Sequence, residues 1–75
     1  MTLGERVRQL RTLQAMSQRD LALKARLTQA TLSRIESGIT RSPSSWKVCR
    51  IAAALRVPID LLLVRTEEPN TPPTP

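Results

Sequence analysis

Seventy-five residues allow one domain and no more, and twelve Lys/Arg against six Asp/Glu give a net charge of +6. No His, one Cys and serines without a base to activate them (Ser17, Ser33 and Ser37) argue against catalysis, a cysteine-rich metal site, a cofactor or an internal disulfide. Charges break each apolar run, and nothing approaches the roughly 18 consecutive apolar residues of a membrane span, so neither a signal peptide nor a membrane segment is expected and the expected location is the cytoplasm.

The spacing of apolar residues predicts five helices and no strand, an all-α domain over residues 1–65. Helix 1 is expected at about 2–14, capped by Thr2, with Leu3, Val7, Leu10 and either Leu13 or Gln14 turned inward. Helix 2, at about 17–25, starts at Ser17 with Asp20 three residues on. That is a Ser-x-x-acid start resembling a capping box, although Asp is shorter than the preferred Glu. Leu21, Ala22 and Ala25 form its apolar stripe. After a break around Arg26–Thr28, helix 3 runs over about 28–37, with Thr28 as cap, Leu32 and Ile35 inward, and Gly38 fitting the left-handed position past its end. A basic loop, Ile39–Ser42, leads to helix 4 at about 44–55, announced by Pro43 and capped by Ser42 or Ser44. Val48, Ile51, Ala52 and Leu55 make its core stripe, and Trp46, Cys49 and Ala53 a minor stripe in which Cys49 is expected to pack. Pro58 opens a short helix 5 at about 58–63. Residues 66–75, TEEPNTPPTP, hold four of the six prolines and are expected to form an extended or disordered tail.

All twelve cations and four of the acids lie in residues 1–65, so that part carries +8, while Glu67 and Glu68 give the tail −2. A cationic domain attracts a polyanion. A membrane surface would call for cations along one helix face opposite bulky aromatics, and here they are spread over several helices with Trp46 as the sole aromatic. Double-stranded DNA fits better, because residues 17–38 read as two short helices joined by a tight turn. The outer face of the second helix carries Gln29, Ala30, Ser33 and Arg34, side chains of the kind that reach base edges in a major groove. Gln29 has the amide for a bidentate pair with adenine, and Ala30 is small enough to approach a thymine methyl. Ser33 suits a base or a phosphate, and Arg34 either forks onto guanine or clamps the backbone. Thr28 joins this base-reading set or serves only as a cap. Gln18, with Ser17, stands at the positive start of helix 2 and is a phosphate candidate. Ser37, Thr40 and Arg41 are phosphate candidates in the following loop.

The ordered series Leu10-Arg11, Ser17-Gln18, Leu21-Ala22, Thr28-Gln29, Leu32-Ser33, Ile35-Glu36 and Gly38 continues through Pro43-Ser44, Ile51-Ala52, Ala54-Leu55-x-Val57 and Asp60-Leu61-Leu62. Over about residues 3–64 it resembles the Cro/phage-repressor (xenobiotic-response-element) family. The resemblance implies a compact five-helix, lambda-repressor-like DNA-binding domain with the helix-turn-helix at helices 2 and 3. It also implies a structural salt bridge between Arg11 and Glu36, with Arg11 near a backbone phosphate as well. The chain departs from that family where glycine is common, in the turn after helix 2 and after helix 4, by placing Arg26 and Arg56 there. A left-handed non-glycine residue costs about 1 kcal/mol, so Arg26 is either tolerated strain or an added phosphate contact. Ser45 and Trp46 also exchange the usual apolar and polar places, and Trp46 either covers the core edge or lies in a subunit interface.

Together these readings predict a sequence-specific transcriptional regulator, a repressor that binds a palindromic operator as a homodimer. Two alternatives stay open: the controller of a restriction–modification operon, and an antitoxin that neutralises a partner toxin. A two-fold dimer sets its recognition helices about 34 Å apart, one turn of B-DNA. The apolar residues least needed inside one monomer place the interface at Trp46, Val57, Pro58, Ile59 and Leu62.

Overall fold

The computed structural model describes residues 2–63; the expected tail at 66–75 lies outside them. Five helices follow one another, α1 (Leu3–Leu13), α2 (Gln18–Ala25), α3 (Gln29–Ser37), α4 (Ser45–Leu55) and α5 (Ile59–Leu62), with no strand among the described residues. The first three begin where side-chain chemistry satisfies orphan amides of the first turn. The Thr2 hydroxyl accepts from the Glu5 amide at 3.1 Å while a Glu5 carboxylate oxygen accepts from the Thr2 amide at 2.9 Å. Ser17 and Asp20 repeat the exchange at 2.9 and 3.2 Å, so the shorter Asp completes the box. Thr28 caps α3 through the Thr31 amide at 3.1 Å. Ser44, not Ser42, takes the cap position of α4, with no side-chain bond.

The helix ends share one device. Just past α1, α2 and α4 a residue is left-handed and not glycine: Ala15 (φ 57°), two residues beyond Leu13, and Arg26 (58°) and Arg56 (59°), each directly after its helix. In each case two bonds of the Schellman pattern form, and those that span five residues are Met16 N–H to Arg11 O, Leu27 N–H to Ala22 O and Val57 N–H to Ala52 O, at 2.9–3.0 Å. The apolar residue that follows, Met16, Leu27 or Val57, then packs against the core. This is the physical reason for tolerating arginine where glycine is common. The turn places a hydrophobic side chain inside, and that burial offsets the strain. After α3 the pattern differs: Gly38 takes φ 89°, Thr40 N–H bonds back to Arg34 O at 3.0 Å, and Ile39 stays 76% exposed.

One aliphatic core is built from Val7, Leu21, Ala22, Ala25, Leu32, Ile35, Val48, Ile51, Ala52, Leu55 and Leu62. The largest packing surfaces join α2 to α4 and α1 to α3, with α2 against α3 next. One open sequence expectation is resolved here and two are corrected. Leu13 faces solvent, and Gln14 instead sends its amide to Leu55 O at 2.7 Å, tying α1 to α4. Cys49 is exposed, because it lies on the flank of the α4 stripe that meets the core, where that stripe's packing does not cover it. Leu62, placed at a dimer interface from sequence, is buried in the core of its own chain, since a four-residue α5 can close the domain only by turning that side chain inward.

The α1–α3 contact depends on Gly4. A Cβ at that position would fall on the Ile35 carbonyl oxygen and within 2.9 Å of the Glu36 carbonyl oxygen, both backbone atoms. The two helices therefore meet backbone to backbone, which fixes α3 against α1 before any side chain contributes. A glycine in the first turn of a predicted helix, where alanine is about 1 kcal/mol better, was the signal for this contact.

Candidate nucleic-acid interface

Leu32, Ile35 and Glu36 face inward from α3, which leaves Gln29, Ala30, Ser33 and Arg34 exposed along its outer side. Behind them runs a polar chain. Arg11 on α1 donates from Nε to Glu36 Oε2 at 2.8 Å and from Nη2 to Glu36 Oε1 at 3.1 Å, a bidentate pair. Its Nη1 donates to the Met16 carbonyl at 2.8 Å. The pair is mostly out of water, with 15% of the Arg11 side chain and 4% of the Glu36 side chain exposed. Gln18, from the first turn of α2, donates its amide to Glu36 Oε1 at 3.3 Å. Its carbonyl in turn accepts from Gln29 Nε2 at 3.5 Å.

A run of bonds thus leads from α1 through α3 and α2 to the first residue of α3. It engages one N–H of the exposed Gln29 and leaves the other N–H and the carbonyl oxygen without a partner among the described residues, the donor and acceptor that adenine N7 and N6 require. The Thr28 hydroxyl is occupied within the chain: it accepts the Thr31 amide and donates to Thr31 Oγ1 at 2.8 Å. That leaves the exposed Thr28 its methyl and one hydroxyl lone pair uncommitted. The Ser17 hydroxyl accepts from the Asp20 backbone N–H and keeps its own proton, and Ser37 Oγ lies 3.2 Å from Arg34 O as a donor. Arg41 is exposed in the loop after α3, with Thr40 half-buried beside it.

Asp20 has its carboxyl held below the usual aspartate value, first by the backbone N–H of Ser17 and then by the Ser17 hydroxyl, with Lys24 and Arg19 adding to the effect. Trp46 is 51% exposed and lies beneath two cations of its own helix, Arg50 at 4.8 Å and Lys47 at 5.5 Å from the ring centroid. Arg50 also reaches the Arg26 carbonyl at 3.3 Å, linking α4 to the turn between α2 and α3. Of the other expected interface residues, Pro58 is exposed and Val57 and Ile59 are half-buried against the core.

The helix-turn-helix family model matches residues 7–62, which takes in α2 to α5 and most of α1. The chain belongs to that family. As a helix-turn-helix protein it is 32% identical over 60 residues, 80% of its length, to a Bacillus subtilis protein described as the uncharacterized HTH-type transcriptional regulator RghRB. It spans 43% of that relative's length. Among solved structures it is similar to the restriction-modification controller protein C.AhdI from Aeromonas hydrophila, with a TM-score of 0.76 and 32% identity over 80% of this chain and 89% of that one. The five-helix all-α architecture and the Cro/repressor type of helix-turn-helix expected from sequence are therefore those of this protein. No helix among the described residues is long and apolar enough to cross a membrane.

Proposed function

We propose that this chain is a sequence-specific DNA-binding transcriptional regulator that reads a palindromic operator as a two-fold dimer. The observation that carries the reading is the outer row of α3: Gln29, Ala30, Ser33 and Arg34 stand exposed on a helix whose first side chain is oriented from behind by Gln18, Glu36 and Arg11. An oriented amide discriminates between bases because the wrong base leaves its donor and acceptor unpaired. Thr28 joins this reading through its methyl, and Ser17, Gln18, Ser37, Thr40 and Arg41 surround the row with phosphate-binding groups.

The likeness to a restriction-modification controller protein, over 89% of that chain, favours a controller role over an antitoxin role. For the dimer, Val57, Pro58 and Ile59 supply the apolar surface, with Leu63, which is 52% exposed, in place of the buried Leu62. Selection of bound sequences from a random DNA pool tests the reading directly. A palindromic consensus occupied by two chains is expected, with Gln29→Ala costing about 1–3 kcal/mol on it and much less on random duplex. Recovery of no consensus, or equal loss on both duplexes, contradicts the proposal.

A further inference from the structure

Resting on the DNA-binding reading, we infer that Arg8 is a phosphate contact of this interface and supplies the charge that Arg11 has committed elsewhere. The sequence draws attention to Arg11, yet three of its N–H groups are engaged, two by Glu36 and one by the Met16 carbonyl. Its positive charge is matched by a carboxylate that is itself almost wholly out of water. An anion arriving there meets a pair of zero net charge.

Arg8 lies one turn earlier. Gly4, Arg8 and Arg11 are four and three residues apart, so they form one stripe along α1. Gly4 presses that stripe onto α3 at Ile35 and Glu36. The next turn therefore carries Arg8 to the side of α3, where it lines one shallow polar depression with Ser33 and Ser37 above the Arg11–Glu36 pair and Gln18. Ser33 and Ser37 are one turn apart on α3 and both exposed, as is Arg8, whose guanidinium has no hydrogen-bond or carboxylate partner among the described residues. One unneutralised guanidinium beside the Ser33 hydroxyl, with the Ser37 proton already given to Arg34 O, above a self-neutralised pair, is chemistry for a phosphate diester oxygen. It sits on the α1 side of the same helix whose outer row faces the bases, so a bound duplex would be held from α1 as well as from the loop at Thr40 and Arg41.

The test is equilibrium binding of the full chain to a 30-base-pair duplex of mixed sequence and to the selected operator, across a salt series. Arg8→Ala should weaken both duplexes by the same several-fold factor and flatten the slope of log K against log salt by about 0.9. Its melting temperature should be unchanged, because the side chain is exposed. Arg8→Lys should keep most of the slope, since the ammonium retains the charge. An unchanged slope in Arg8→Ala, or equal loss in Arg8→Ala and Arg8→Lys, overturns the assignment while the wild-type chain still binds. Absence of wild-type binding to either duplex overturns the DNA-binding reading and this inference with it.

Discussion

Between α1 and α3 a glycine lies against two backbone carbonyls and a bidentate ion pair crosses the gap, nearly excluded from water. Between α2 and α4 the meeting surfaces are aliphatic, and both helices end in a left-handed arginine whose strain is offset by the apolar residue after it. The first contact depends on atoms that cannot move; the second depends on area. Aliphatic burial is non-directional and tolerates small shifts, whereas a backbone-to-backbone approach and a paired charge allow one geometry. The rigid contact is also the one that holds the outward row of α3. Precision in this molecule is concentrated where a helix must be aimed.

Breaking the ion pair should show the largest effect. Glu36→Ala leaves Arg11 unpaired in a mostly buried place, an expected loss of about 3 kcal/mol in chemical denaturation. A double-mutant cycle with Arg11→Ala should show strong coupling, and additive losses would mean the pair contributes no joint stability. The double change Arg11→Met with Glu36→Leu separates stability from aim. It should recover much of the lost stability, since a hydrophobic pair of similar volume often replaces a buried ion pair without penalty. It should still blunt base discrimination, because Gln18 and Gln29 lose their anchor.

Gly4→Ala comes next, at roughly 2 kcal/mol, because the added methyl meets backbone rather than a flexible side chain. An unaltered melting temperature would show that α1 and α3 can separate freely. On the tolerant side of the comparison, Arg26→Gly and Arg56→Gly should each stabilise the fold by up to about 1 kcal/mol. Destabilisation instead would show that the arginine stems contribute more packing than the turn costs. The smallest effect belongs to the α2 cap. Asp20 is held below the ordinary 3.8, so its contribution is fully present above that value and is lost as the pH falls through its lower folded value. A melting series from pH 6 downward should show this step in the wild type and not in Asp20→Asn.

Much of the candidate site was legible because it rests on local rules. Ser17, Thr28 and Gly38 mark the helix boundaries by chemistry that acts within four residues, and a stripe of Leu32 and Ile35 leaves Gln29, Ser33 and Arg34 outside by elimination. Arg8 gave no such signal, since an arginine on a helix reads as solvated until its neighbours across the fold are known, and helical spacing left Gln14 level with Leu13 until the Leu55 carbonyl decided between them. Cys49 and Leu62 were misplaced for a related reason. Helical spacing says which residues share a stripe, but the partner helix decides which stripe is covered.

By itself the sequence determined five helices, the capping residues of the first three and the charge that favours a polyanion, because each follows from interactions between residues close in the chain or from composition alone. The tertiary structure decided the rest: the backbone contact at Gly4, the engagement of Arg11 that leaves its charge to Arg8, the relay that orients Gln29, and the turn of Leu62 into the core. Those depend on how α1 and α5 cross helices distant in sequence, and a crossing is fixed only when close packing and paired polar groups are satisfied together.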